Sequence, residues 1–254
     1  MKILKSFLRI TFFSYISGVL LLYCFQRSFL YFPQPSKPVK WTKEISFVSD
    51  KFNLHGWVVN EGKEKALIYY GGNAEAIEYN IAFFKEAAHD YSVYLIPYRG
   101  YGKNTGNPSE ESLYKDSLYI FDKIKQNHKQ ILLMGRSLGT GISTYVASQR
   151  SIASLILVTP YDSIENVAKE IYWMFPISIL LKDKYESWRR VINLQIPTLV
   201  FIADNDEIIS KKRTDNLISH FDSKYVKVVT IKGATHDSIS EFNEYLSILK
   251  QWLQ

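Results

Sequence analysis

Eight short runs rich in β-branched and aromatic residues follow Trp41: ISFVS, LHGWVV, ALIYYGG, SVYLIPY, ILLMG, SLILVTP, PTLVFIA and VKVVTIKG. Amphipathic stretches separate most of them, at 75–90, 110–127, 138–150, 163–181, 211–221 and 238–253. From ALIYYGG onward the runs are nearly continuous in hydrophobicity, as strands are when both faces of their sheet are covered. The first two have no room for a helix between them and read as an antiparallel hairpin at one edge. Strand-helix alternation joined by right-handed crossovers predicts a doubly wound, mostly parallel α/β sheet of about eight strands. In such a sheet, chemistry gathers at the carboxyl ends of the strands.

Composition sets the limits of this reading. At 254 residues with 46% hydrophobic content the chain can bury a full core. Cys24 is the only cysteine, which excludes an intrachain disulfide and a cysteine-based metal site. Of the net +6 charge, Lys2, Lys5, Arg9 and Arg27 supply four units before any acid appears. The remainder is nearly neutral and has no Lys/Arg stripe, so a nucleic-acid partner is not expected.

Those four cations flank an uncharged stretch, Ile10–Gln26. It is slightly short of the about 20 residues of a spanning helix, and the long side chains of Arg9 and Arg27 can make up the difference. No small-residue cleavage site follows it, since the first alanine is Ala66. The expected organisation is a membrane anchor over residues 1–27, an interfacial linker over 28–44 and a catalytic domain over 45–254. The cluster of Lys2, Lys5 and Arg9 favours a cytoplasmic N-terminus and an extracytoplasmic domain.

Four strand ends carry chemistry. Gly135-Arg136-Ser137-Leu138-Gly139 lies directly after one strand and before a helix. A sharp turn there lifts a serine hydroxyl above the sheet, and small residues two positions either side relieve crowding. A glycine-rich packing turn is the plain alternative. A serine needs a base. His236, in KGATHDS after the last strand, is the candidate, whereas His55, His89, His128 and His220 read as structural or solvated. The histidine needs a carboxylate to fix its tautomer. The loop ADNDEII offers Asp206, with Asp204 as the alternative, and Asp237 reads as solvated. Finally, Gly71-Gly72-Asn73 ends an earlier strand, so the backbone N–H groups of Asn73 and Leu138 are the expected oxyanion donors. This chemistry calls for no cofactor and no metal.

The order nucleophile, acid, histidine is that of α/β-hydrolases. Across nearly its whole length the sequence resembles the membrane-anchored α/β-hydrolases that group with the mammalian α/β-hydrolase-domain depalmitoylases. FLYFPQP, YYGGNAE, YRGYGKNTGNPSEESLYKD, GRSLGTG, TPYDSI, ADNDEII and GATHDS carry that resemblance. It implies an α/β-hydrolase fold, with Ser137, Asp206 and His236 matching the family triad and Asn73 and Leu138 its oxyanion donors. Gly71 stands where the family usually has histidine, and Ser210 where it usually has proline. The mammalian enzymes are anchored by acylated cysteines rather than by an apolar segment. The Tyr98–Gly102 loop is expected to pack beside the site.

Residues 161–196 allow only a short cap. MFPISILL with Trp173 either lines an apolar acyl pocket or packs on the sheet. The expected substrate is a small acyl ester or thioester, including a lipid. An aminopeptidase-like amidase and a non-catalytic binding protein at the membrane are the competing readings.

Overall fold

The computed structural model describes residues 1–40 and 42–254. Its centre is an eight-stranded sheet formed by β1 (Lys43–Ser49), β2 (Phe52–Val59), β3 (Lys65–Tyr70), β4 (Tyr91–Leu95), β5 (Gln130–Arg136), β6 (Ser154–Val158), β7 (Thr198–Ala203) and β8 (Val226–Ile231). The spatial order is β1-β2-β4-β3-β5-β6-β7-β8. The pair β1/β2 is the expected antiparallel hairpin, and β2 also meets β4 antiparallel. From β4 to β8 every pairing is parallel. β6 is buried along its whole length and β3 along all but its first residue, as their unbroken apolar sequences require.

Helices cover both faces. On one, α3 (Glu110–Lys125) and α4 (Leu138–Gln149) place Leu113, Ile120, Ile142 and Val146 in a core with Ile68 and Leu133. On the other, α2 (Asn80–Ala87) and α9 (Asn243–Leu253) pack Phe84, Tyr245 and Leu249 against Leu67 and Phe201. Local signals set the ends of α3. Ser109 and Ser112 exchange side chain-to-backbone bonds in a capping box, acids occupy the first turn and lysines the last. α8 (Lys211–Ile218) completes the crossover from β7 to β8.

The cap departs from expectation in one respect. The stretch 163–181 is not continuous: α5 (Ile164–Ile171) stops, and a short α6 (Ile177–Leu180) follows before α7 (Ser187–Val191). Pro176 explains the break, since it has no N–H to donate and disfavours helical backbone at the residue before it.

The N-terminal segment is a single helix, α1 (Lys2–Leu30), of 29 residues. Its best window has a mean hydropathy of 1.6 with none of it buried, so it is long and apolar enough to cross a membrane. The helix runs three residues past Arg27, and its end is fastened to the cap. Arg27 Nε donates to Asp183 at 3.0 Å instead of reaching freely to an interface. Gln26 Nε2 donates to the Leu180 carbonyl at 3.0 Å, and its Oε1 accepts from Lys182 N–H at 2.7 Å. Tyr31 is buried, with its hydroxyl 2.8 Å from that of Tyr185. The segment that follows is bound to the domain as well: Gln34 accepts from Gly102 N–H through its carbonyl, and Lys37 N–H donates to Glu78.

Candidate active site

β5 ends at Arg136 and α4 begins at Leu138, which leaves Ser137 alone to make the turn. Its backbone sits at φ 46° and ψ −116°, a strained region for a residue with a side chain. The strain is held by the Ser137 N–H, which donates to the Val158 carbonyl at 2.9 Å on the neighbouring strand. Crowding dictates the flanking glycines. A Cβ on Gly135 would collide with the carbonyl of Gly139, and one on Gly139 with the carbonyl of Tyr70.

Three loops converge on this turn. The Ser137 hydroxyl lies 2.9 Å from His236 Nε2, across 99 residues of sequence. His236 Nδ1 lies 2.9 Å from each carboxylate oxygen of Asp206. In the consistent tautomer Nδ1–H donates to Asp206 and Nε2 accepts from the serine. His236 is buried, and the Asp206 side chain is only 9% exposed. Asp206 also accepts from the N–H groups of Ile208 at 3.0 Å and Ile209 at 2.7 Å, which aim the carboxylate at the ring. Asp204 takes no part: its contact is with Gly233 N–H at 3.4 Å. Asp237 is 88% exposed.

The loop after β3 lies against the serine. A Cβ on Gly72 would stand 3.7 Å from Ser137 Cβ. Gly72 N–H is already taken, because it donates to Glu75, which also accepts from the Tyr69 hydroxyl and from Asn80 Nδ2. The backbone N–H groups of Asn73 and Leu138 have no acceptor among the described residues. Leu138 opens α4, whose N-terminal partial positive charge adds to the field at this point. Two unused donors beside a hydroxyl paired to histidine can bind an oxygen that gains negative charge.

Several supporting residues gain an individual role only in the structure. Glu75 closes the loop as described. Tyr98 donates from its hydroxyl to the Gly71 carbonyl at 2.6 Å, and burial keeps that hydroxyl protonated by pushing it well above its usual range. Tyr101 donates to Asn73 Oδ1 at 2.8 Å. The Tyr98–Gly102 loop thus packs against the loop that carries Gly72 and Asn73, and the shared motif YRGYG was the sequence signal for it. Arg136, the variable position of the glycine-serine-glycine turn, donates to the carbonyls of His236 at 3.3 Å and Asp237 at 2.9 Å, fixing the histidine loop. A cleft of about 510 Å³ opens over Ser137 and His236, and Gln34, Pro35 and Lys37 of the N-terminal linker form part of its wall. Trp173, expected either to line an acyl pocket or to pack on the sheet, is 78% exposed.

A family model described as alpha/beta hydrolase fold matches residues 65–178, and one described as acyl transferase matches residues 181–254. An uncharacterized protein of Mycobacterium tuberculosis is 28% identical over 241 residues, which cover 87% of this chain and 84% of that one. Lysophosphatidylserine lipase ABHD12 of Danio rerio is 27% identical over 172 residues, 59% of this chain and 45% of the lipase. Among solved structures, an esterase of Pyrococcus furiosus superposes with a TM-score of 0.68 at 15% identity, covering 88% of this chain and 96% of the esterase. That likeness is one of fold.

Proposed function

We propose that this chain, which has the α/β-hydrolase fold, is a membrane-anchored serine hydrolase cleaving carboxylic ester or thioester bonds through an acyl-enzyme. One observation carries this reading: the unbroken relay from Ser137 Oγ to His236 Nε2 and from His236 Nδ1 to Asp206, each link 2.9 Å.

In this mechanism Ser137 Oγ attacks the acyl carbon while its proton passes to His236 Nε2. The carbonyl oxygen becomes an oxyanion and accepts from the Leu138 and Asn73 N–H groups. Asp206 stabilises the imidazolium and keeps Nδ1 protonated. Collapse of the tetrahedral intermediate breaks the bond to the alcohol or thiol, which leaves with the proton from His236. Water then attacks the acyl-serine, His236 takes its proton, and the carboxylic acid departs as Ser137 is restored. The apolar α1 holds the domain at a membrane, which suits an acyl substrate of lipid character.

A fluorophosphonate probe is expected to label the full chain at Ser137, and Ser137→Ala to abolish both labelling and hydrolysis of a short acyl ester. Labelling that persists in the variant would remove Ser137 from its role.

A further inference from the structure

A second cavity, of about 140 Å³, lies between α1 and the cap. Leu22 and Phe29 of α1 form one wall, Val167 and Ile171 of α5 another, and Ile177 and Leu181 close it. Two of its lining residues carry polar groups, Gln26 and Tyr172, and both ends of the Gln26 amide are engaged, by Leu180 and Tyr23 carbonyls and by Lys182 N–H. The other lining residues carry aliphatic or aromatic side chains, so the body of a guest that suits the cavity is a hydrocarbon chain.

The cap exposes Ile171 (62%), which lines the cavity, together with Trp173 (78%), Met174 (59%) and Ile179 (82%) of the segment that follows it. An apolar cluster of this kind on a small cap marks an interaction surface. Its relation to α1 identifies the partner. Phe175 stacks on Tyr15 with ring centroids 5.5 Å apart and touches Gly18. Tyr15 is about 22 Å along the helix from Leu30. If α1 crosses the bilayer over Ile10–Gln26, Gly18 is the midpoint of the span, the cap tip beside Tyr15 and Gly18 reaches the middle of the hydrocarbon layer, and the cavity opens sideways to lipid tails. Both walls also run toward the oxyanion donors. Leu30 accepts from the Asn73 side chain at 2.6 Å, and Tyr161, three residues before α5, donates to the Leu138 carbonyl at 3.2 Å.

We propose that this crevice is an acyl-chain subsite, which takes the chain of a lipid ester laterally from the bilayer and leads its carbonyl to Ser137. The inference rests on reading α1 as a membrane segment and Ser137 as the nucleophile. The test uses the full chain in phosphatidylcholine nanodiscs containing an ether lipid with a diazirine at its chain end, which is not hydrolysed. Photolysis is expected to cross-link residues of α5 and α6. Cross-links confined to the outward residues of α1, such as Phe7 and Phe12, would overturn the proposal. In parallel, Ala168→Trp fills the crevice and should lower the ratio of kcat/KM for palmitoyl over butyryl esters by about tenfold or more. An unchanged ratio would also overturn it. The two readings separate cleanly. A wild-type chain that cross-links in the crevice but takes no fluorophosphonate refutes the hydrolase reading, whereas a labelled Ser137 with cross-links elsewhere refutes the crevice.

Discussion

The carboxamide of Asn73 donates to the backbone carbonyl of Leu30 at 2.6 Å, so the loop beside the serine is tied to the last turn of the apolar helix. The same side chain accepts from Phe32 N–H at 3.0 Å and from the Tyr101 hydroxyl at 2.8 Å. The N-terminal segment is thereby built into the site it accompanies.

Asn73→Ala keeps the backbone N–H but removes all three ties. If that N–H binds the oxyanion, a loosened loop costs transition-state stabilisation more than substrate binding. The expected result is a fall in kcat of about tenfold to a hundredfold with KM changed little, and a smaller fall for Tyr101→Phe. Steady-state kinetics on a short ester checks this, and a change confined to KM would assign the loop to binding instead.

The two acids of the loop after β7 separate in the same assay. The Asp206 carboxylate meets His236, whereas that of Asp204 accepts from Gly233 N–H. Asp206→Asn should cost about 10⁴ in kcat, because the ring loses the partner that fixes its tautomer. Asp204→Asn should stay within a few-fold of wild type. The opposite order would move the acid by two positions.

The sheet and the loops of Ser137, Asp206 and His236 were legible because their signals are short: continuous apolar runs, glycine spacing and acids at a strand end. The placement of β4 between β2 and β3 was not, since strand order is settled by long-range pairing that local periodicity does not encode. The docking of α1 was hidden for the same reason. Gln26, Arg27 and Tyr31 look like ordinary residues at a helix end, and their partners Leu180, Asp183 and Tyr185 lie more than 150 positions away. Glu75 was quoted within a motif, yet only the structure reveals that it takes up the Gly72 amide and leaves that of Asn73 open.

Close approach at the turn predicts a stability effect separable from chemistry. An added methyl at Gly139 meets the carbonyl oxygens of Tyr70 and Gly71, both backbone atoms that have little freedom to yield. Gly139→Ala should therefore destabilise by about 3 kcal/mol. For a domain of this size that corresponds to a fall in Tm of about 6–12 °C, read by calorimetry or circular dichroism. A variant that melts with the wild type would show that α4 and β3 can separate without loss.

His128 gives a pH dependence far from the site. Its Nδ1–H donates to the Lys63 carbonyl at 2.8 Å, and its Nε2 accepts from the Tyr94 hydroxyl at 2.7 Å. Desolvation, partly offset by the Lys63 carbonyl, lowers its pKa below the ordinary 6.5. The unfolded chain then takes up the proton at a higher pH than the folded one, so this contribution to stability is intact above about pH 6.5 and shrinks as pH falls toward the folded value. Between about pH 7.5 and pH 5.5 the wild type should lose more stability in urea titrations than His128→Gln does. Parallel losses in the two proteins would deny His128 the effect.

Topology decides which lipids the site can meet. Lys2, Lys5 and Arg9 gather at one end of α1, where no acid precedes Glu44. At the other end Arg27 is paired with Asp183, which weakens its claim as a topological charge. Lys37, Lys40 and Lys43 lie farther along the chain, and Lys37 N–H and the Lys43 ammonium are both engaged with glutamates of the domain. Charge close to the apolar segment weighs most in the positive-inside bias, so the N-terminus should stay cytoplasmic and the domain should face outward. Protease added to right-side-out vesicles should then digest the domain while a lumenal marker survives. A domain protected until the membrane is broken would reverse the orientation and turn the crevice toward the cytoplasmic leaflet, where S-acylated proteins become accessible substrates. Release of the intact chain by alkaline carbonate would show instead that α1 lies on the membrane without crossing it, because a spanning helix withstands that treatment and a surface-bound one does not.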